Sequence, residues 1–157
     1  DDVYATNGTI QTSDERKKQQ IASLTSTEIT AAKAISKLFK TFKWNDSVET
    51  KGDNARTHTG VIAQQVEQAM SDAGLDVNNY SFFTNSTCWE IKTQIDATEE
   101  KEAYEQIDFV LKKEDAPEGA TELNIKGIRY PELLAFIGAA TEQRLTSIEA
   151  RLTALEG

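Results

Sequence analysis

The sequence predicts an α+β fold: a small globular domain of mixed helices and strands, ended by a long C-terminal helix that forms a parallel coiled coil. Three patterns predict it. Apolar residues recur at helical spacing in two internal segments, apolar and polar residues alternate between Tyr80 and Tyr130, and Leu145, Ile148, Leu152 and Leu155 follow one another at steps of 3, 4 and 3. The first is the period of a half-buried helix, the second that of a half-buried strand, and the third the a/d seam of a coiled coil.

At the start, "VYATNGTIQT" sets Asn7-Gly8 between short segments containing Val3, Tyr4 and Ile10, the pattern of a tight hairpin or strand end. Residues 1–12 are therefore expected to be β or extended. In "TSDERKKQQI" Thr12 stands three residues before Glu15, which reads as a capping box opening a polar helix. "TSTE", Thr25 to Glu28, repeats the box and opens a second helix with Ile35, Leu38, Phe39 and Phe42 as its apolar face. "TFKWND" reads as a strand running into a polar loop through Gly52 and Asn54.

"HTGVIAQQVEQAMSDAG" then reads as a short strand or turn at Gly60 and Val61, followed by a helix with Ile62, Val66, Ala69, Met70 and Ala73 on one side and Gly74 as its stop. A Met and aliphatic stripe of this kind is core rather than a ligand site. "CWEIKTQI", "YEQIDFVLKK" and "ELNIKGIRY" alternate as strands, with Pro117-Glu118-Gly119 as a turn. "ATEEKEAYEQ" fits a helical turn equally well, and its charges form a solvated face.

The last helix starts at Pro131, a residue suited to a first helical turn, and runs to the end of the chain, residues 131–157. With Leu145 at position a, Ile148 falls at d, Leu152 at a and Leu155 at d, while Gly138 at an earlier a position limits the tight seam to the last two heptads. Arg144 and Arg151 fall at g, and Glu149 and Glu156 at e. Each Arg precedes a Glu by five residues, a spacing at which side chains of one helix do not meet. Across a parallel, in-register interface g meets the next e of the neighbouring chain, so both Arg residues find a Glu there. Leu at a with Ile at d favours more than two strands. The other reading is a helix packed on its own domain with its charges solvated.

Composition narrows the function. The chain has 157 residues, room for one ordinary domain, and a net charge of -9, which disfavours a grip on nucleic acid or on an acidic membrane surface. A single cysteine, Cys88, is expected to be a buried, inert thiol, and one His with one Cys makes no zinc constellation, so no metal and no cofactor are expected. No apolar run approaches membrane-spanning length, and "DDVYATNGTI" lacks the order of a signal peptide. The abrupt Asp1-Asp2 start suggests a piece of something longer.

The polar stretch also holds a chemical possibility. Ser13 lies five residues ahead of Lys18, and a serine hydroxyl beside a deprotonated lysine amine is a known nucleophile and base pair for cutting amides. The spacing alone carries little weight, because most such pairs are solvated surface residues. Within one regular helix five steps of about 100° would set the two roughly 140° apart, so Ser13 has to lie at or before the cap. A lysine of ordinary pKa, about 10.4, is a poor base at neutral pH, and desolvation or a neighbouring cation has to depress it.

"SDERKK", "FKW", "RTHTGVIAQQVEQA" and "RYPELLAFIGAATEQRLTSIEARLTALE", in that order from Ser13 to Glu156, resemble the C-terminal intramolecular chaperone domain of phage tail spikes and tail fibres, the S74 peptidase family. Lys17 departs from the family, which more often has an apolar residue there, and Cys88 to Glu118 is the least matched region. The resemblance implies a homotrimer that registers and folds the preceding shaft of the same chain and then releases itself by cutting before the motif serine. Carried onto this sequence, the scissile bond is Thr12-Ser13, the nucleophile Ser13 and the base Lys18. Residues 1–12 are then the last of the mature fibre, 13–157 the released chaperone, and 131–157 its trimeric coiled-coil helix. Asp14 and Arg16 read as residues that position the turn. Arg56 and His58 are given a supporting possibility only, a hydrogen-bonded structural histidine being the commoner case.

The implied setting is the host cytoplasm during assembly and the virion tail for the parent fibre. Two rival functions remain open at this level. One is a non-catalytic trimerisation cap or receptor-binding tip that stays on the fibre. The other is a self-cleaving eukaryotic membrane-bound transcription factor, a group that carries a related domain.

Overall fold

The computed structural model describes residues 13–97 and 103–156; the expected extended segment 1–12 and part of the "ATEEKEAYEQ" stretch lie outside the described residues. The elements are helices α1 (Ser26–Ile35), α2 (Asn45–Lys51), α3 (Ala63–Asp72) and α4 (Tyr130–Glu156), and strands β1 (Lys40–Phe42), β2 (His58–Gly60), β3 (Phe83–Ile95), β4 (Tyr104–Val110) and β5 (Thr121–Ile128). The mixed helix and strand class and the long last helix agree with the sequence reading.

The expected capping box at Thr25 forms. Glu28 N–H donates to Thr25 Oγ1 at 3.2 Å, and Thr25 N–H donates to Glu28 Oε2 at 2.7 Å. The helix it opens is shorter than expected and ends at Ile35. Ser36 Oγ donates to the Lys33 carbonyl at 2.9 Å, and the chain passes through tight turns, Leu38 N–H donating to Ile35 C=O at 2.9 Å. Serine in such a place competes for the helix carbonyls and favours an ending. Leu38 and Phe39 still pack on the core, but from a turn, while Phe42 lies in β1 and packs against Trp44 and His58. A turn followed by a strand satisfies the same spacing as a helix.

The core is Ala31 and Ile35 of α1, Val66 and Met70 of α3, Leu133 of α4, and Val77, Phe82 and Phe83 between them. Ile35, Val66, Met70 and Leu133 are fully buried. Ile62, expected on the buried face of α3, instead precedes that helix as its cap residue and is half exposed. Gly74 stops α3 as expected, in the left-handed region at φ 78, where glycine carries no Cβ penalty.

β1 and β2 pair antiparallel, Phe42 opposite His58, and a three-stranded antiparallel sheet has the order β4-β3-β5. β3 and β4 form a long hairpin through the region least matched to the family, and the buried Cys88 faces Leu123 of β5 across the ladder. Gly119 turns the chain at φ 91, with Ala120 N–H donating to Pro117 C=O at 3.1 Å. α2 replaces part of the expected polar loop. Its sequence NDSVETK has only Val48 to signal a face, so no apolar period betrays it.

Two polar links tie the layers. Lys126 of β5 forms an ion pair with Glu67 of α3. Tyr80 Oη donates to Glu28 Oε1 at 2.9 Å, joining the chain ahead of β3 to the first turn of α1. The Thr25 backbone N–H bound to Glu28 holds its carboxyl below the ordinary range, whereas burial and the Glu28 carboxylate push the Tyr80 phenol up to about 12. The folded state thus holds the Tyr80 proton more tightly than the unfolded chain, so this contribution is full below the ordinary tyrosine range and is lost as pH rises through about 12. The Glu28 contribution runs the other way and is lost as pH falls through its lowered pKa. Tyr80→Phe is expected to flatten the alkaline fall of the melting temperature, read by circular dichroism; an unchanged alkaline limb would refute the assignment.

Candidate active site around Ser13 and Lys18

The stretch expected to open a polar helix forms a single 3-10 turn, Glu15–Lys17, and residues from Lys18 to Leu24 have no regular structure. The reason is the absence of an apolar face. Isolated helices this short are marginal, and helical stability in a folded chain comes from burying one side. Ser13 and residues 15–23 are exposed, so packing adds nothing here. Thr12, the expected capping residue, lies outside the described residues, and the turn's N-cap is Asp14.

The Asp14 carboxylate accepts the Arg16 backbone N–H at 2.9 Å and the Arg16 guanidinium at both oxygens. That guanidinium holds the Asp14 carboxyl below its ordinary value. Lys17 N–H donates to Asp14 C=O at 3.0 Å and Lys18 N–H to Glu15 C=O at 2.9 Å, closing the turn. Asp14 before it and Lys18 after it are both extended, with ψ of 129 and 149. Ser13 therefore lies before the cap and Lys18 beyond the last helical residue, and their side chains meet outside the turn. Lys18 Nζ donates to Ser13 Oγ at 2.7 Å. The helical objection to a five-residue spacing does not apply, because the chain is not a regular helix between them.

Arg56 and His58 are exposed, and among the described residues no hydrogen bond joins either to Ser13 or Lys18. His58 belongs to an aromatic cluster, stacked on Phe42 at 5.7 Å between ring centres with Trp44 edge-on at 6.2 Å. The contacts of the His58 ring are thus aromatic packing, whereas the sequence reading expected a hydrogen-bonded histidine. The cluster flanks a groove that reaches Ile62, Lys126 and Tyr130. Tyr130 accepts the Val61 N–H at 3.1 Å through its hydroxyl, and a Cβ at Gly60 would overlap that hydroxyl, which explains the glycine of "TGVIA". Only the quoted tyrosine of the C-terminal motif hinted at this link from sequence. Among the described residues no cluster of His, Cys, Asp and Glu could hold a metal, and no helix is long and apolar enough to cross a membrane.

The expected seam lies on one side of α4. Leu133 and Ala140 face the core, while Leu145, Ile148, Leu152 and Leu155 are 49%, 45%, 53% and 84% exposed. Over its last two heptads the helix does not bury these residues against its own domain.

Comparison with known proteins shows what the chain is similar to. The family model Peptidase S74, chaperone of endosialidase, matches residues 13–75, beginning at Ser13. A probable tail spike protein of Klebsiella phage 0507-KN2-1 is 34% identical over 154 residues, which cover 95% of this chain and 12% of that protein. The carboxy-terminal domain of the bacteriophage T5 L-shaped tail fibre, solved with its intramolecular chaperone domain, superposes with a TM-score of 0.65 at 27% identity, covering 97% of this chain and 34% of that one. A structure described as a novel intramolecular chaperon superposes at 0.63 with 26% identity, covering 86% of this chain and 99% of its own. Residues 13–75 thus carry the Peptidase S74 domain, chaperone of endosialidase, and the chain is similar to parts of phage tail spikes and tail fibres.

Proposed function

We propose that residues 13–157 are the intramolecular chaperone of a phage tail fibre or spike, that it trimerises through α4, and that it releases itself by cutting Thr12-Ser13. Residues 1–12 are then the end of the mature fibre, which goes to the virion tail after assembly in the host cytoplasm. The observation that carries this reading is the contact of Lys18 Nζ with Ser13 Oγ at 2.7 Å. As an ammonium, Lys18 donates to Ser13; once deprotonated, the same pair lets Oγ–H donate to Nζ, which makes Oγ a nucleophile. Oγ attacks the Thr12 carbonyl carbon, the C–N bond to Ser13 breaks, and the proton taken by Lys18 passes to the departing Ser13 amine. Water then hydrolyses the ester, restoring the Ser13 hydroxyl and leaving Thr12 as a carboxylate. No metal or cofactor enters any step.

Both side chains are exposed in the single chain. A lysine in water is protonated at neutral pH, so the geometry supports a dyad held ready and switched on when assembly removes its water. That same exposure favours the rival reading, a trimerisation cap that stays uncut. Denaturing mass spectrometry of the assembled 157-residue chain separates them: a second species lacking residues 1–12 is expected, and a single intact mass after assembly refutes self-cleavage.

A further inference from the structure

We infer that Asp14 is a positioning residue for the cut, because its carboxylate caps the one turn that brings Lys18 back to Ser13. The inference rests on the Ser13/Lys18 reading and adds a residue to it. The dyad has no other visible support: Ser13 and Lys18 are exposed, and the hydrogen bond between them is the polar side-chain contact each makes among the described residues. What fixes their approach is therefore the backbone between them. That backbone is four residues, Asp14 to Lys17, and is held by two carbonyl bonds, from Lys17 to Asp14 and from Lys18 to Glu15, and by the Asp14 carboxylate on Arg16 N–H at 2.9 Å.

Among the described residues nothing buries this turn. Glu15, Arg16 and Lys17 are all exposed, so it lacks the buried face that ordinarily stabilises such a segment. An N-cap is then a large share of what holds it, since without the cap a free amide has to find water and the short helical segment competes with extended chain. The guanidinium of Arg16, 86% exposed, adds a bridge to the same carboxylate, but a solvated pair of this kind contributes little. The capping oxygen, rather than the charge pair, is the operative group. This separates two variants. Asp14→Asn keeps an oxygen that caps about as well as a carboxylate, and Asp14→Ala removes it.

The test follows loss of residues 1–12 over time by mass spectrometry in the assembled 157-residue chain, for wild type, Ser13→Ala, Asp14→Ala and Asp14→Asn. Asp14→Ala is expected to slow the cut by about five- to tenfold, the factor that losing an ordinary cap implies, with trimer content unchanged. Asp14→Asn is expected to restore a rate within about twofold of wild type. In an uncut Ser13→Ala background, the Arg16 amide proton should show the small NMR temperature coefficient of a bonded amide with Asp14 or Asn, and a large one with Ala. Wild-type cutting in Asp14→Ala, with Ser13→Ala uncut, overturns the positioning role and leaves the dyad standing. Cutting of Ser13→Ala at the wild-type rate overturns both. Equal slowing in Ala and Asn assigns the effect to the charge pair with Arg16 and overturns the cap.

Discussion

Ser13→Ala is expected to leave the assembled chain whole, with residues 1–12 still attached at times when the wild type has lost them. Removing the nucleophile of a serine hydrolase costs many orders of magnitude in rate, whereas removing one exposed hydroxyl costs the fold almost nothing. Ser13 is exposed, and among the described residues its side chain bonds Lys18 and not the core, so the uncut variant should melt and assemble as the wild type does. Lys18→Met tests the other half of the pair. It keeps a long stem and removes the amine, so it too should remain uncut, and Lys18 is exposed, so stability should again be unchanged. The reaction lies within five residues of one chain, and its rate after assembly should not depend on dilution. A timed gel of the three proteins at several concentrations reads all of this. Ser13→Ala cut at the wild-type rate would leave the polar stretch as a capped turn and nothing more.

Leu152→Asp is expected to convert a trimer into single folded chains. In the single chain Leu152 is 53% exposed and is absent from the buried core, so an aspartate there meets water and the domain keeps its stability. In a parallel bundle position a faces the axis, and three carboxylates would meet in an apolar seam with no partner, which is a strongly unfavourable burial of charge. Sedimentation equilibrium should therefore give a trimer for the wild type at micromolar concentration and a monomer for the variant, with the far-ultraviolet spectrum of the core elements retained. A wild-type monomer under those conditions would refute the seam. If the seam forms, pairing of Arg144 with Glu149 and of Arg151 with Glu156 on neighbouring chains is expected to set register more than affinity, since such pairs at an exposed rim are worth little each.

The elements that could be read from the residues alone are those whose signal is local or strictly periodic. The Thr25 capping box is two side chains reaching three residues, and the Gly74 stop is one residue at positive φ; both are local and both stand where the sequence puts them. The α3 stripe of Val66 and Met70 is buried because a period of 3.6 leaves a helix only one way to hide its apolar side. The α4 helix is legible for the same reason, with Leu133 and Ala140 buried, while Leu145, Ile148, Leu152 and Leu155 stay exposed over its last two heptads. Of the candidate site, Ser13 and Lys18 are legible only through the family resemblance, for their spacing of five is uninformative by itself.

Tertiary structure decided the rest. Whether Leu38, Phe39 and Phe42 continue a helix or turn into a strand depends on β1 finding β2, a pairing from Phe42 to His58 across sixteen residues that no local window contains. Whether "SDERKK" is a helix depends on having something to pack against, and in its absence one 3-10 turn forms and the Asp14 side chain becomes its cap. That outcome brings Lys18 Nζ to Ser13 Oγ, since a packed α-helix over the same residues would have turned the two side chains to different faces. The sequence by itself determined which groups were available; the lack of a buried face beneath them determined that they meet.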